Sequence, residues 1–269
     1  ALIGDRALII SKLEKPSAIV ELEDIIKLSD GIMVARGDLG VECPLQTVPV
    51  LQKKIVNACR KYARPVIVAT QMLESMIEKP TPTRAEVSDV ATAVYDGADA
   101  VMLSAETAAG KYPVEAVKMM NKIITQVEAD PLFFQYMKNL QSVSCCMGEA
   151  DSITYAASEI SKVLKNVKAV VTYTSSGRTT FLVSRERPDI PIVAVTPNIK
   201  VARQLGLVWG ARRFINESTF QSFDRFEDVA KTVALASGAA NKGDHIIITG
   251  GFPLGVKGRT NMLHTVYID

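Results

Sequence analysis

The sequence predicts an α/β protein in two parts, a parallel, helix-covered sheet of the β/α-barrel type and then a separate open α/β domain. Three observations carry this. Short apolar runs alternate with longer amphipathic stretches through the first 130 residues, the pattern of βαβ units in a parallel sheet. Each of the first four runs gives way to polar or charged residues, as at the C-terminal rim of a β/α barrel, where active sites are assembled. A second alternation then starts after an irregular, Ser- and Cys-containing stretch. The 269 residues suit two domains at roughly 150 residues each.

Taken in order, the first strands are expected at Ala7 to Ser11, Gly31 to Ala35, Pro65 to Thr70 and Ala98 to Leu103, which are apolar and rich in β-branched residues. Helical periodicity covers Ser17 to Lys27, Pro49 to Tyr62, Arg84 to Tyr95 and Val114 to Glu128. The first part is thus residues 1–130, followed by a connector over residues 131–148 and a second domain over 149–269. In that domain a helix is expected at Ala150 to Leu164 and strands at Ala169 to Thr172 and Ile190 to Val195. A helix at Lys200 to Leu207, a strand at Arg213 to Asn216 and a helix at Phe226 to Ser237 follow, then strands at His245 to Thr249 and Leu263 to Ile268.

Composition excludes several classes. Hydrophobic residues make up 48% and charged residues 22% of the chain, ordinary for a globular protein and unlike a disordered or collagenous one. Lys plus Arg number 31 against 29 Asp plus Glu, leaving no net field to gather nucleic acid or an anionic membrane. No run approaches the roughly 20 apolar residues of a membrane span, and the N-terminal stretch lacks a signal-peptide pattern. Cys43, Cys59, Cys145 and Cys146 show no CxxC spacing, so reduced thiols in a cytoplasmic protein are expected. The sequon Asn216, Glu217, Ser218 matters only in a secreted chain. No Walker A, GxGxxG or HExxH motif is present.

Chemistry concentrates at the strand ends. Lys12 and Glu14 stand two residues apart, so on a strand they point to one side. In MVARGDLG, Met33 to Gly40, two glycines bracket Asp38 and let backbone approach a ligand, while amides opening a following helix can hold an anion. Two carboxylates from neighbouring strands with one lysine suit a magnesium ion shared with a phosphate. Taken singly, each of these residues reads equally as a solvated or capping group.

These words, with ATQMLESMI at Ala69 to Ile77, PTRAEVSDVATAV at Pro82 to Val94 and DGADAVMLSAETAAGKYP at Asp96 to Pro113, resemble pyruvate kinase, in the family's order. The resemblance implies the second half of a TIM-type β/α barrel, strands five to eight, followed by the family's C-terminal domain. It implies transfer of a phosphoryl group from phosphoenolpyruvate to ADP, giving pyruvate and ATP, the last step of glycolysis. Lys12 matches the catalytic lysine, and Glu14 and Asp38 match the ligands of Mg2+ or Mn2+. The amides of Gly37 and Asp38 match the receivers of the substrate carboxylate. Thr70 matches the threonine beside the carbon that is protonated, and Ser104 a serine of the proton relay. Arg84 resembles an arginine that reaches across a subunit interface to the segment holding Arg36 in a neighbouring copy, which implies a homo-oligomer, a tetramer. Leu13, Ala105 and Ala109 depart from the commoner Ile, Gly and Lys, so nucleotide contacts at Ala109 do not carry over.

Thr174, Ser175, Ser176, Gly177, Arg178 and Thr179 follow an expected strand and open a helix. Hydroxyls, helix-start amides and a guanidinium suit a phosphate, although an ordinary Ser/Thr cap with a solvated arginine has the same residues. The resemblance matches this loop to an effector site for a sugar phosphate or nucleotide. The stretch Thr249 to Asn261, with Lys257 and Arg259, faces it in the family and here lacks a tryptophan.

Only eleven residues precede Lys12, whereas the family places its lid domain, first barrel strands and potassium ligands before that point. The chain alone is therefore expected to show no turnover and to be a portion of a longer enzyme or to be complemented by another chain. The competing reading is a non-catalytic regulatory or assembly module that binds a sugar phosphate.

Overall fold

The computed structural model describes residues 4–140, 148–215, 223–253 and 259–269. Cys145, Cys146, the sequon Asn216, Glu217, Ser218, and Lys257 lie outside the described residues. The chain divides into two compact units, residues 1–142 and 143–269. No described helix is long and apolar enough to cross a membrane.

The first unit is a parallel sheet of four strands in chain order, β1 (Ile10–Leu13), β2 (Gly31–Ala35), β3 (Val66–Ala69) and β4 (Ala100–Met102). Between β1 and β2 run α1 (Pro16–Val20) and α2 (Leu22–Leu28), and between β2 and β3 run α3 (Arg36–Glu42) and α4 (Val48–Lys61). The helix α5 (Arg84–Tyr95) precedes β4, which α6 (Ala105–Ala108) and α7 (Pro113–Glu128) follow. Alternate residues Ile32, Val34, Val66 and Val68 are fully buried. Across the register, Lys12 pairs with Met33, Met33 with Ile67 and Ile67 with Ala100. That row stays partly or fully exposed, so among the described residues one face of the sheet is packed and the opposite row is open.

Three expectations change here. β1 begins at Ile10 rather than Ala7, because Ile9 and Asp30 exchange hydrogen bonds of 2.9 and 3.0 Å and start the ladder at Ile10 and Gly31. Lys12 therefore lies within the strand instead of beyond it. The single helix expected over Ser17 to Lys27 breaks at Glu21, whose φ of −94° and ψ of 22° leave the helical region. The start of the expected irregular connector is instead a helix, α8 (Pro131–Leu140). Its Phe133 and Met137 are 1% exposed. Asp130 Oδ1 accepts the Leu132 N–H at 3.0 Å, and Pro131 opens the helix where its missing N–H costs nothing. The Asp-Pro pair that reads as a break is a helix start.

The second unit opens with α9 (Glu149–Val163), β5 (Val167–Tyr173), α10 (Arg178–Arg185) and β6 (Ile192–Thr196). It continues with α11 (Ile199–Gln204), β7 (Ala211–Ile215), α12 (Phe223–Ala236), β8 (His245–Gly250) and β9 (Met262–Tyr267). Its sheet runs β7-β6-β5-β8-β9, parallel except for β9, which pairs antiparallel with β8. Residues from both faces are buried, with Phe226, Ala230 and Ala234 of α12 on one cluster and Ala157 of α9 and Val183 of α10 on another. The chain reverses direction across the sheet at β5, which lies between β6 and β8. Such a switch point opens a crevice at the carboxyl ends of its strands.

Candidate active site

The strands of the first unit end side by side, which brings the expected site residues from all four strands to one edge. Lys12, the penultimate residue of β1, points to the same side as Glu14. Its Nζ lies 2.7 Å from Glu14 Oε2 and 2.7 Å from Asp38 Oδ2, the latter just after β2. The hydrogen bonds that Lys12 donates to Asp38 and then to Glu14 hold the lysine above its ordinary pKa, and the lysine holds Asp38 below the usual carboxylate range. All three side chains are a third to a half exposed, and exposed pairs contribute little stability. These ion pairs therefore add little to the stability of the unit.

Arg36, Gly37 and Asp38 open α3. The Gly37 N–H donates to Thr70 Oγ1 at 2.8 Å, so the start of α3 and the end of β3 are tied at the site. Thr70 and the adjoining Gln71 have φ of 72° and 54°, two successive left-handed residues without glycine. Strain of this kind persists only where neighbours enforce it. Here Arg36 enforces it, donating from one guanidinium nitrogen to the Thr70 carbonyl at 2.7 Å and from the other to Asp89 Oδ1 at 2.6 Å. The Arg36 side chain is only 10% exposed, so it braces the turn from inside the chain. Arg84, the first residue of α5, is exposed and has no hydrogen-bond partner among the described residues. A cation at a helix start opposes the helix dipole, and packing within the unit gives it no compensation.

Ser104 follows β4 as the N-cap of α6, with no hydrogen bond from its side chain to the helix. Its backbone N–H donates to Glu106 Oε2 at 2.7 Å. Glu106, 2% exposed, is one of the polar residues expected after the fourth strand, but its role was not read from the sequence, and Asp89 escaped the sequence reading altogether. A glutamate in ETAAG carries no sequence signal of burial, because only the fold places the β3 and β4 loops on either side of it.

No metal-binding group of three or more His, Cys, Asp or Glu occurs among the described residues. Glu14 and Asp38 form a pair instead, converging on one ammonium from adjacent strand ends. This oxygen-donor pair fits magnesium, which takes one or two carboxylates and keeps its other positions for water and substrate oxygens.

In the second unit the expected phosphate loop follows β5, and the residues after β8 come up beside it. A cavity is lined by Thr174, Ser175, Ser176, Arg178 and Thr179 from one side and Gly251, Arg259 and Thr260 from the other. Gly177 caps α10 at φ 88°, a left-handed conformation that favours glycine, and its N–H donates to Thr174 Oγ1 at 2.9 Å. Thr179 Oγ1 pairs with Thr260 Oγ1 at 2.8 Å. These two buried hydroxyls thus build the loop, while the Ser175, Ser176 and Arg178 side chains have no hydrogen-bond partner among the described residues.

Fold and sites together define a class: an α/β protein whose two units each gather cations, amides and hydroxyls at the carboxyl ends of parallel strands. Comparison with known proteins gives the family. Residues 3–117 match the family description "Pyruvate kinase, barrel domain" and residues 151–266 match "Pyruvate kinase, alpha/beta domain". A pyruvate kinase of Agrobacterium vitis is 48% identical over 268 residues, covering 100% of this chain and 55% of the relative. One from Methylorubrum extorquens is 47% identical over 98% of this chain and 54% of its own length. A crystal structure of a pyruvate kinase from Cryptosporidium parvum superposes with a TM-score of 0.88 at 36% identity, over 97% of this chain and 52% of that one. The chain belongs to the pyruvate kinase family, and it spans about half the length of these relatives.

Proposed function

We propose that this chain is the lysine- and metal-bearing part of an enzyme that transfers the phosphoryl group of phosphoenolpyruvate to ADP. The observation that carries the reading is the Lys12 ammonium set 2.7 Å from both Glu14 and Asp38. Phosphoryl transfer asks a protein chiefly for positioning and for positive charge near the equatorial oxygens of the moving group. Lys12 supplies that charge. Glu14 and Asp38 would hold Mg2+ or Mn2+, which when bound adds a second positive charge for those oxygens. The amide of Asp38 receives the substrate carboxylate, joined by that of Gly37 when the substrate oxygen displaces Thr70 Oγ1 from it.

In the reaction the phosphorus–oxygen bond of the substrate breaks and one to the terminal ADP oxygen forms, leaving the electron pair on an enolate. The enolate then takes a proton at C3. A threonine hydroxyl is too weak an acid to donate freely at neutral pH, so Thr70 and Ser104 hold a water that relays the proton. In the second unit Ser175, Ser176 and Arg178, facing Arg259, bind a sugar-phosphate or nucleotide effector. Arg84 contacts another copy in a cytoplasmic tetramer, and Arg36 stiffens the segment it reaches.

The test is product analysis on the native protein that carries these residues, supplied with phosphoenolpyruvate, ADP, Mg2+ and K+. ATP and pyruvate are expected in equal amounts. No ATP, together with a retained thermal shift on adding a sugar phosphate, would instead favour the regulatory module. Consumption of phosphoenolpyruvate into a new carbon–carbon bond without ATP would sink both readings.

A further inference from the structure

Glu106 is a buried carboxylate whose hydrogen bonds within the unit run to backbone. Its Oε1 accepts the N–H of Leu73 at 3.1 Å and its Oε2 the N–H of Ser104 at 2.7 Å. Leu73 is fully buried and lies three residues after Thr70, in the loop that leaves β3. Ser104 lies in the loop that leaves β4. One side chain thus supplies the acceptor for an amide of each loop, and a buried amide left without an acceptor is costly.

The same two loops are joined again beyond it. Lys111 N–H donates to the Ile77 carbonyl at 2.8 Å, and a Cβ at Gly110 would meet the Glu106 carbonyl oxygen at 2.6 Å and Ile77 Cα at 3.2 Å. Close packing makes the pair of loops one rigid piece, with Glu106 at its centre.

The groups of the site divide between strands. Lys12, Glu14, Gly37 and Asp38, assigned above to phosphoryl and carboxylate oxygens, follow β1 and β2. Thr70 and Ser104, assigned to the proton, follow β3 and β4. The hydrogen bonds of Glu106 run to the loops that carry the second set, at Leu73 and Ser104.

On the functional reading above, we propose that Glu106 is a positioning residue for proton delivery, fixing the Thr70 and Ser104 loops relative to each other through its two amide hydrogen bonds. A glutamine preserves the shape, but its NH2 faces one of the two backbone N–H donors, so one of the two bonds is lost. An aspartate keeps both oxygens on an arm one methylene shorter, which cannot span both amides.

The experiment compares wild type, E106Q and E106D in the native protein. Steady-state kcat and KM are measured together with exchange of the pyruvate C3 protons into D2O and amide exchange at Leu73 and Ser104. General acid–base groups contribute about 100- to 10,000-fold, so misplacing a relay is expected to lower kcat roughly 10- to 100-fold, with KM for phosphoenolpyruvate within about threefold. C3 proton exchange should fall at least as far as kcat, and the two amides should exchange faster.

A folded E106Q with wild-type kcat and C3 exchange overturns the proposal. If E106Q does not fold, E106D decides: the same kcat-selective loss supports it, and parallel loss of kcat/KM and of thermal midpoint without a change in C3 exchange overturns it. Wild type that forms no ATP overturns the functional reading and this inference with it. Active wild type beside an unaltered variant overturns this inference alone.

Discussion

At the scale of single residues, the site depends on one cation placed where two carboxylates meet. Lys12 Nζ stands 2.7 Å from each, and like charges drawn together need such a counter-charge. K12M removes the positive charge meant for the phosphoryl oxygens while keeping an apolar stem of similar length. Removing one preorganised group of this kind costs about 100- to 1,000-fold in kcat. K12M is therefore expected to lower ATP formation at least that far in the coupled assay, with the circular dichroism spectrum unchanged. A variant retaining a tenth of wild-type turnover would falsify the assignment. The grouping of the lysine with its two carboxylates was legible in the sequence because residue type and position at the strand ends are local features. The bracing roles of Glu106 and Asp89 were not legible, since a carboxylate is marked as structural only by the amides and guanidinium that the fold aims at it.

At the scale of elements, helix starts position much of the machinery. α5 begins with a capping box in which Thr83 N–H donates to Glu86 Oε2 at 2.7 Å and Glu86 N–H to Thr83 Oγ1 at 3.3 Å. Ser75, from the β3 loop, donates to the same carboxylate from its backbone at 2.6 Å and from its hydroxyl at 2.6 Å. Burial works against ionisation of Glu86, but the hydrogen bonds from Ser75 and Thr83 outweigh it and lower its pKa. A lowered folded pKa means stability that is present above the ordinary value of 4.5 and lost as pH falls through the depressed one. Thermal midpoints of wild type and E86Q should thus differ at pH 6 and converge toward pH 3. A gap that stays constant across that range would refute the linkage.

The β4 loop gives a second expectation at this scale. An added methyl at Gly110 meets backbone, which cannot swing aside as a side chain can. G110A should destabilise by about 1–3 kcal/mol, read from denaturant midpoints at unchanged slope. The sequence placed most elements to within a few residues, because β-branched runs and amphipathic periods state burial directly. It misplaced α8 because Asp130 and Pro131 mark breaks and helix starts alike, and only the burial of Phe133 and Met137 decides between them.

At the scale of the whole molecule, two units each gather polar and charged groups at strand ends, for different physical reasons. In the first, parallel strands in chain order align their carboxyl ends, so residues 12, 38, 70 and 104 meet at one edge. In the second, reversal of strand order at β5 opens a crevice between the loops after β5 and β8. Arg178 lies at that crevice with its guanidinium exposed. A charge-assisted hydrogen bond contributes about 1.5–3 kcal/mol, so on the effector site proposed above R178A should weaken sugar-phosphate binding by roughly 10- to 100-fold, a factor of ten being about 1.4 kcal/mol. Isothermal titration checks this, and unchanged affinity would remove Arg178 from the effector site.

The sequence by itself determined the α/β class, the family resemblance and the identities of Lys12, Glu14, Asp38 and Thr70, since residue type and spacing state those directly. Only the tertiary structure decided what holds them. The left-handed turn at Thr70, the inward bracing by Arg36 and the buried bridge of Glu106 join residues more than thirty positions apart. Such contacts exist once parallel strands bring separate loops to one edge, and no local pattern in the chain encodes that meeting.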